Sequence, residues 1–479
     1  MGRGLIITAV LGLLLAGWPA AATAQKPGAR NPSVQNPAAI QQAVNQGQQL
    51  MRSGRANEAE PLLRRAAEDA ERLWGATSPD AGTLTILWAD ALHEAGRTQE
   101  AEAAYRLSLS RLERVNEPGH PMIGLALNNL GLNLHEQGRY AEALAVLERA
   151  VAIRTAIEGE AGATLVSMSN RAVALKALGR FEEADLLYER VLAARRRGGD
   201  PLDLATTLNN LGANRLMMDR PDEAETALRE ALALREAGLG GSHPLTAQTL
   251  SLLADALAAQ GRFEAAAMMQ RRALDTFGPD ADPVERAAAL ANLADILKSL
   301  DRNEEALPLD RAAFDLTRTA LGTGHPETLG AMIGLADSLL ATGAAVEARP
   351  LLVEALRLQA RALGPDHPAR LQPLFLLGVA EGEAGDRAAA IAALREAARI
   401  ADVALPPDHL ARIGSQANLG AALAADRKPD EALPLLRTAG RSLRADRGRR
   451  PDPERTRREL EAWRRVFRLT VTAAWDAAA

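Results

Sequence analysis

Six asparagines, Asn45, Asn129, Asn170, Asn210, Asn292 and Asn418, each stand two residues ahead of a small residue that returns every 40 to 42 positions. An amide side chain offers two donor hydrogens and an acceptor oxygen. A line of amides, one per repeat, can hold the backbone of an extended peptide without demanding a sequence. It can equally bond to neighbouring helices and pin repeat against repeat.

Histidine is the second chemistry-bearing type. His120, His243, His325, His367 and His409 recur at one place in the repeat. Units stacked roughly 10 Å apart cannot share one metal, whose nitrogen ligands lie near ~2 Å. His93 and His135, beside Asp90, Glu94 and Glu136, read as polar lining, with a zinc or proton-responsive site as the alternative. Asp280 and Asp282 lie between Pro279 and Pro283 and read as a turn and helix cap, not as calcium ligands. No Gly-Lys pair of a phosphate loop occurs, and His93-Glu94 and His135-Glu136 lack the second histidine of a zinc-protease helix. No Gly-x-Ser-x-Gly elbow is present either. The expectation is a protein without catalytic residues, metal or cofactor.

The elements that position these residues follow from the repeat. Its turn residue falls at Gly54, Gly96, Gly138, Gly179, Asp219, Gly261, Asp301, Gly343, Gly385 and Arg427. Five residues later stands alanine in all ten units, and seven residues earlier only Gly or Ala. Small residues at these points let two helix backbones approach while leucines fill the space beside them. Prolines such as Pro79, Pro121 and Pro244 stand 17 or 18 residues before the turn, most behind Ser, Asp, Asn or His. Proline suits the first helical position, and the residue before it can cap the exposed amides. Each unit is therefore a first helix of about 16 residues, a turn, and a second helix of nearly 20.

Composition and charge narrow the function. Aromatics are 3% and cysteine is absent, which suits thin helix-on-helix cores rather than one thick globular core. The formal net charge is -5, a poor match to nucleic acid, which needs a broad cationic face. The local exception runs from Arg437 to Arg468, with twelve arginines and five acids. It reads as the solvated side of the last helices, or as a weak contact for an anionic membrane surface or acidic partner.

At the N-terminus, Arg3, the apolar run Leu5 to Ala16 and the Ala22-Thr23-Ala24 site predict a signal peptide over 1–24. The run is shorter than the roughly 20 residues a bilayer needs. Residues 25–36 read as a flexible lead-in, 37–450 as the repeat array, and 451–479 as a capping helix with Leu460, Trp463 and Phe467 on one face. The mature protein is expected in the periplasm or secreted, with no integral membrane segment after cleavage.

Helix pairs with Leu-Gly or Leu-Ala in the first helix, a glycine turn, then Glu-Ala and Ala resemble the tetratricopeptide repeat. The run Leu321-Gly322-Thr323-Gly324-His325-Pro326 and the segment Leu127-Asn128-Asn129-Leu130-Gly131 look like its longer kinesin-light-chain subtype. The resemblance covers about 410 of 479 residues. It implies an all-α, right-handed α-solenoid of about ten antiparallel helix pairs, whose first helices line a concave face. It also implies that the six asparagines face a protein or peptide partner. The floor between them mixes Asp90, Asp255, Asp295 and Asp337 with Lys176, Lys298, Leu132, Leu216, Met217 and Phe375, so no strong preference for one ligand charge is expected. The expected function is an exported interaction scaffold. The alternative is a regulatory or assembly subunit of an envelope complex, acting through its outer surface and basic C-terminal end.

Overall fold

A computed structural model describes residues 37–277, 282–407 and 409–446. The proposed signal peptide, lead-in, Asp280 and capping helix lie outside the described residues. Those described hold twenty α-helices and no strand, as the repeat requires. None is long and apolar enough to cross a membrane.

The helices fall into two compact units, dividing after Arg262. The first holds α1 (Pro37–Arg52), α2 (Ala56–Trp74), α3 (Pro79–Glu94), α4 (Thr98–Val115), α5 (Pro121–Glu136) and α6 (Tyr140–Glu158). It continues through α7 (Gly162–Ala177), α8 (Phe181–Arg195), α9 (Pro201–Met217), α10 (Pro221–Leu239) and α11 (Pro244–Ala259). The second holds α12 (Phe263–Thr276), α13 (Pro283–Ser299), α14 (Asn303–Leu321), α15 (Pro326–Ala341) and α16 (Ala345–Leu363). A short 3-10 turn, Pro368–Arg370, leads into its α17 (Leu371–Glu383), α18 (Arg387–Ala404), α19 (Leu410–Ala425) and α20 (Pro429–Asp446). Within each unit every helix packs on the one before it, and first helices of successive repeats also touch, as α3 does α5 and α9 does α11.

Local sequence explains both ends of the first helices. Ser78, Asp200 and Asp282 accept amide hydrogens there, and so do the five recurring histidines. The Nδ1 of His120 accepts from Met122 N at 3.2 Å, and His243, His325, His367 and His409 repeat the contact. Their role is to cap, which the sequence had marked by the proline that follows most of them. At the turn the chain enters the left-handed region. Glycine takes it at seven turns, while Asp219, Asp301 and Arg427 hold it at φ 58, 57 and 58°.

The small residues sit where backbones converge. The alanine five residues after the turn is buried in all ten units. A Cβ built on Gly131 would lie 2.5 Å from Leu147 Cγ, and one on Gly212 2.6 Å from Leu228 Cγ. The same glycine–leucine fit recurs at Gly47 with Leu63 and Gly420 with Leu436. Gly212→Ala therefore sets two effects against each other. Alanine favours the helix by roughly 1 kcal/mol, but the clash displaces a packed leucine at a cost of roughly 1–3 kcal/mol. We expect a net loss of about 1 kcal/mol by urea denaturation, while Gly241→Ala, with nothing within 4 Å, should be silent.

Candidate binding wall

In the wall formed by α3, α5, α7, α9 and α11, polar side chains cross between first helices from α3 to α5, from α5 to α7 and from α9 to α11. Asn129 Nδ2 donates to Asp90 Oδ1 at 2.9 Å, and Tyr105 Oη donates to the same oxygen at 2.6 Å. Asn170 Nδ2 donates to Asn128 Oδ1 at 3.0 Å, and Ser167 Oγ reaches that oxygen at 2.9 Å. Asn133 Nδ2 lies 3.0 Å from His93 Nδ1, which makes Nδ1 the acceptor and leaves Nε2 facing Glu136 at 3.5 Å. His135 lies against Tyr140, with ring centroids 5.0 Å apart and the planes tilted by 52°. Among the described residues no group of three or more His, Asp or Glu is arranged to hold a metal ion.

Of the six sequence-predicted asparagines, then, Asn129 and Asn170 are buried and bonded to the preceding first helix. Asn45 is exposed and accepts from Gln41 Nε2 at 2.9 Å. Asn210, Asn292 and Asn418 are half-buried and make no hydrogen bond to another described residue. The reason is visible for Asn210. By repeat register, the α7 positions equivalent to Asp90 and Asn128, which take up Asn129 and Asn170, are Val173, whose side chain has no polar atom, and Ser169, whose hydroxyl donates to Leu165 O at 2.9 Å.

Burial shapes the wall's electrostatics. It pushes the Asp90 carboxyl up to about 6, although Tyr105 and Asn129 work against the shift. It raises Glu94 also, and lifts Asp255 to about 6. Burial opposes charging of His93, but the Glu136 contact and nearby carboxylates outweigh it and raise the imidazole. His135 and Lys176 are both lowered by burial, with Lys176 adding to the shift at His135.

The second unit carries its own charge cluster on α13, α14 and α15. Lys298 Nζ lies 2.8 Å from Asp295, 3.1 Å from Asp337 and 3.4 Å from Asp310, whose other donor is Ser338 Oγ at 2.6 Å. Burial works against that lysine's charge, yet the three carboxylates hold its pKa above the ordinary value.

Sequence reasoning missed a set of arginines on the second helices. Arg154, Arg195 and Arg235 stand sixteen residues after their turns, and each reaches forward into the next repeat. Arg154 Nη1 donates to Ser167 Oγ at 2.8 Å, Arg195 Nη1 to Thr207 Oγ1 at 2.6 Å and Arg235 Nη1 to Thr249 Oγ1 at 2.6 Å. Each also donates to a carbonyl on or beside the same helix, Ala163, Asp203 and Leu245. Burial pulls Arg154 and Arg235 down to about 10, so both stay charged at neutral pH. The signal was present as a pairing in register, since Ser167, Thr207 and Thr249 all stand twelve residues before their own turns.

Comparison with known proteins agrees with this architecture. A family model described as tetratricopeptide repeat matches residues 40–114, 81–156, 122–197, 203–277 and 329–403, and a second of the same description matches 286–327. Human tetratricopeptide repeat protein 19, mitochondrial, is 30% identical over 135 residues, 28% of this chain and 35% of that protein. The chain thus spans about a third of that curated relative's length. The apo form of the quorum sensor NprR from B. thuringiensis is 15% identical, with 78% of this chain and 99% of that chain covered and a TM-score of 0.57. A signal transduction ATPase with a tetratricopeptide repeat sensor, from Pyrococcus horikoshii, is 12% identical, with 75% and 52% covered and a TM-score of 0.55. With the family models matching well over half its length in the same helix pairs, the chain belongs to the tetratricopeptide repeat family.

Proposed function

We propose that this protein is an exported scaffold that holds a peptide or helical segment of another protein along the wall of its first helices. Tetratricopeptide repeat proteins act as protein-protein interaction scaffolds, and the family is generally non-enzymatic. The observation that carries the reading is the state of the amides. Asn210, Asn292 and Asn418 keep donors and acceptors unspent at one repeat position, so a bound backbone can take them up without breaking an internal bond. Beside Asn210, Leu216 is half-buried and Met217 is 62% exposed, which supplies apolar contact on the same helix. The six asparagines therefore divide in use: in the first unit Asn129 and Asn170 fix the wall while Asn45 and Asn210 are offered to a partner, and in the second unit Asn292 and Asn418 are offered in the same way. Export rests on the signal sequence over 1–24.

The test is a double substitution, Asn210→Ala with Asn292→Ala. Neither amide supports another described residue, so stability should change by no more than about 0.5 kcal/mol. Capture of the partner identified by in-cell crosslinking should fall about tenfold. Unchanged capture would remove the amides from the account.

A further inference from the structure

Repeat register exposes two charges in the first unit that its own neighbours leave unanswered. Three residues before the turn, His93, His135, Lys176 and Lys298 occupy one equivalent position, and burial together with Lys176 opposes the charging of His135, which lies against Tyr140. Wherever it is answered, the next first helix supplies a carboxylate. His93 meets Glu136, two residues before the following turn, and Lys298 meets Asp337, six residues before it. For Lys176 those two positions on α9 are Met217 and Ala213. Lys176 is half-buried, and it makes no ion pair or hydrogen bond among the described residues.

Asp255 on α11 is the converse. Its equivalents are held: Asp90 by Tyr105 and Asn129, Asp295 and Asp337 by Lys298. The two positions from which Lys298 holds Asp337 and Asp295 correspond, for Asp255, to Leu216 on α9 and Ala258 one turn along its own helix, and both are apolar. It too is half-buried and makes no ion pair or hydrogen bond among the described residues. Between the two charges lies α9, which touches both α7 and α11 and carries the partly exposed Asn210, Ala213, Leu216 and Met217.

We infer that α7, α9 and α11 form a subsite for an extended peptide that presents an acidic side chain to Lys176 and a basic side chain to Asp255, with small or apolar residues between. This rests on the wall being the binding surface, and it names the partner's chemistry there. First helices about 10 Å apart put the two charged residues roughly 20 Å apart at their backbones. The side chains shorten that to roughly 12–14 Å, which an extended chain spans in about four residues at ~3.3 Å each. The lowered Lys176 and raised Asp255 fit charges that are held partly out of water with no counter-charge.

The experiment uses the full chain and fluorescence anisotropy with labelled, end-blocked heptapeptides. One carries Glu and Lys four residues apart around Ala-Leu-Ala, one carries them in reverse order, and a third carries Gln and Met instead. One of the charged peptides should bind at least tenfold tighter than the neutral one, and high salt should erase most of the difference. Lys176→Met and Asp255→Asn should each weaken the charged peptide about tenfold and leave the neutral one alone. Lys176→Glu with Asp255→Lys, a charge exchange, should abolish binding of the preferred peptide. Equal affinity for charged and neutral peptides, both weakened by Asn210→Ala, would overturn the charge pairing and keep the wall. No binding by any peptide would overturn both.

Discussion

Arg235→Ala is expected to lower the stability of the first unit by about 3 kcal/mol in urea denaturation. The side chain is 1% exposed, and its Nη1 lies within reach of Leu245 O at 2.6 Å, Thr249 Oγ1 at 2.6 Å and Asn209 Oδ1 at 3.2 Å. Alanine removes the brace and leaves a cavity between α9, α10 and α11. Arg235→Met separates the two effects. Thr249 Oγ1 lies 3.0 Å from Asn209 Oδ1 and 3.1 Å from Leu245 O, so its single hydroxyl hydrogen keeps one of those acceptors paired when the guanidinium goes. An apolar chain of similar reach then fills the space and removes a buried charge, and a loss of only about 1 kcal/mol is expected. Equal losses for the two variants would show that the bonds, not the filled volume, hold the repeats together.

The second large effect has opposite signs at one position. Asp90→Asn should stabilise the protein at pH 7.5 by about 1–3 kcal/mol, whereas Asp90→Ala should destabilise it by about 2 kcal/mol. Tyr105 and Asn129 both donate to the same oxygen, Oδ1, and asparagine retains an oxygen that can accept both. Alanine instead strands a buried phenol and a buried amide. The carboxyl titrates at about 6 in the folded chain, above the 3.8 of an unperturbed Asp. Between those values the folded state holds a proton that the unfolded state has lost. Stability from this group is therefore greatest below about pH 4 and declines as pH rises to about 6. Neighbouring His93 and Glu94 on α3 modulate the titration, and Asp255 adds a slope of the same sign. Asp90→Asn should remove its own share and leave that of Asp255. Thermal melts of both variants between pH 4 and 7.5 decide it.

The helix pairs were legible because each repeat restates the same steric demand. Gly212 faces Leu228 and Gly131 faces Leu147 wherever the chain is cut into units, so spacing alone located the turn, both helices and the close approach. The candidate site was legible only as a face. Asn129 and Asn210 occupy one register position and look alike in sequence, yet Asp90 consumes the first, while Val173, at the position equivalent to Asp90, has no polar side-chain atom for the second. That difference lives in the neighbouring repeat, not in the motif. The arginine braces escaped for a related reason. A charged residue on a second helix reads as solvated surface until its register is compared with a hydroxyl some thirteen residues further on.

Photo-crosslinking in intact cells tests the binding wall most directly. A photoreactive phenylalanine analogue is placed at position 217, where Met217 is 62% exposed on α9, or at position 186, where Leu186 is 69% exposed on α8. A partner protein crosslinked from position 217 and not from 186, and lost with Asn210→Ala, is the result expected of a scaffold that binds along its first helices. A partner crosslinked from position 186 alone would contradict that account and place recognition on the second helices.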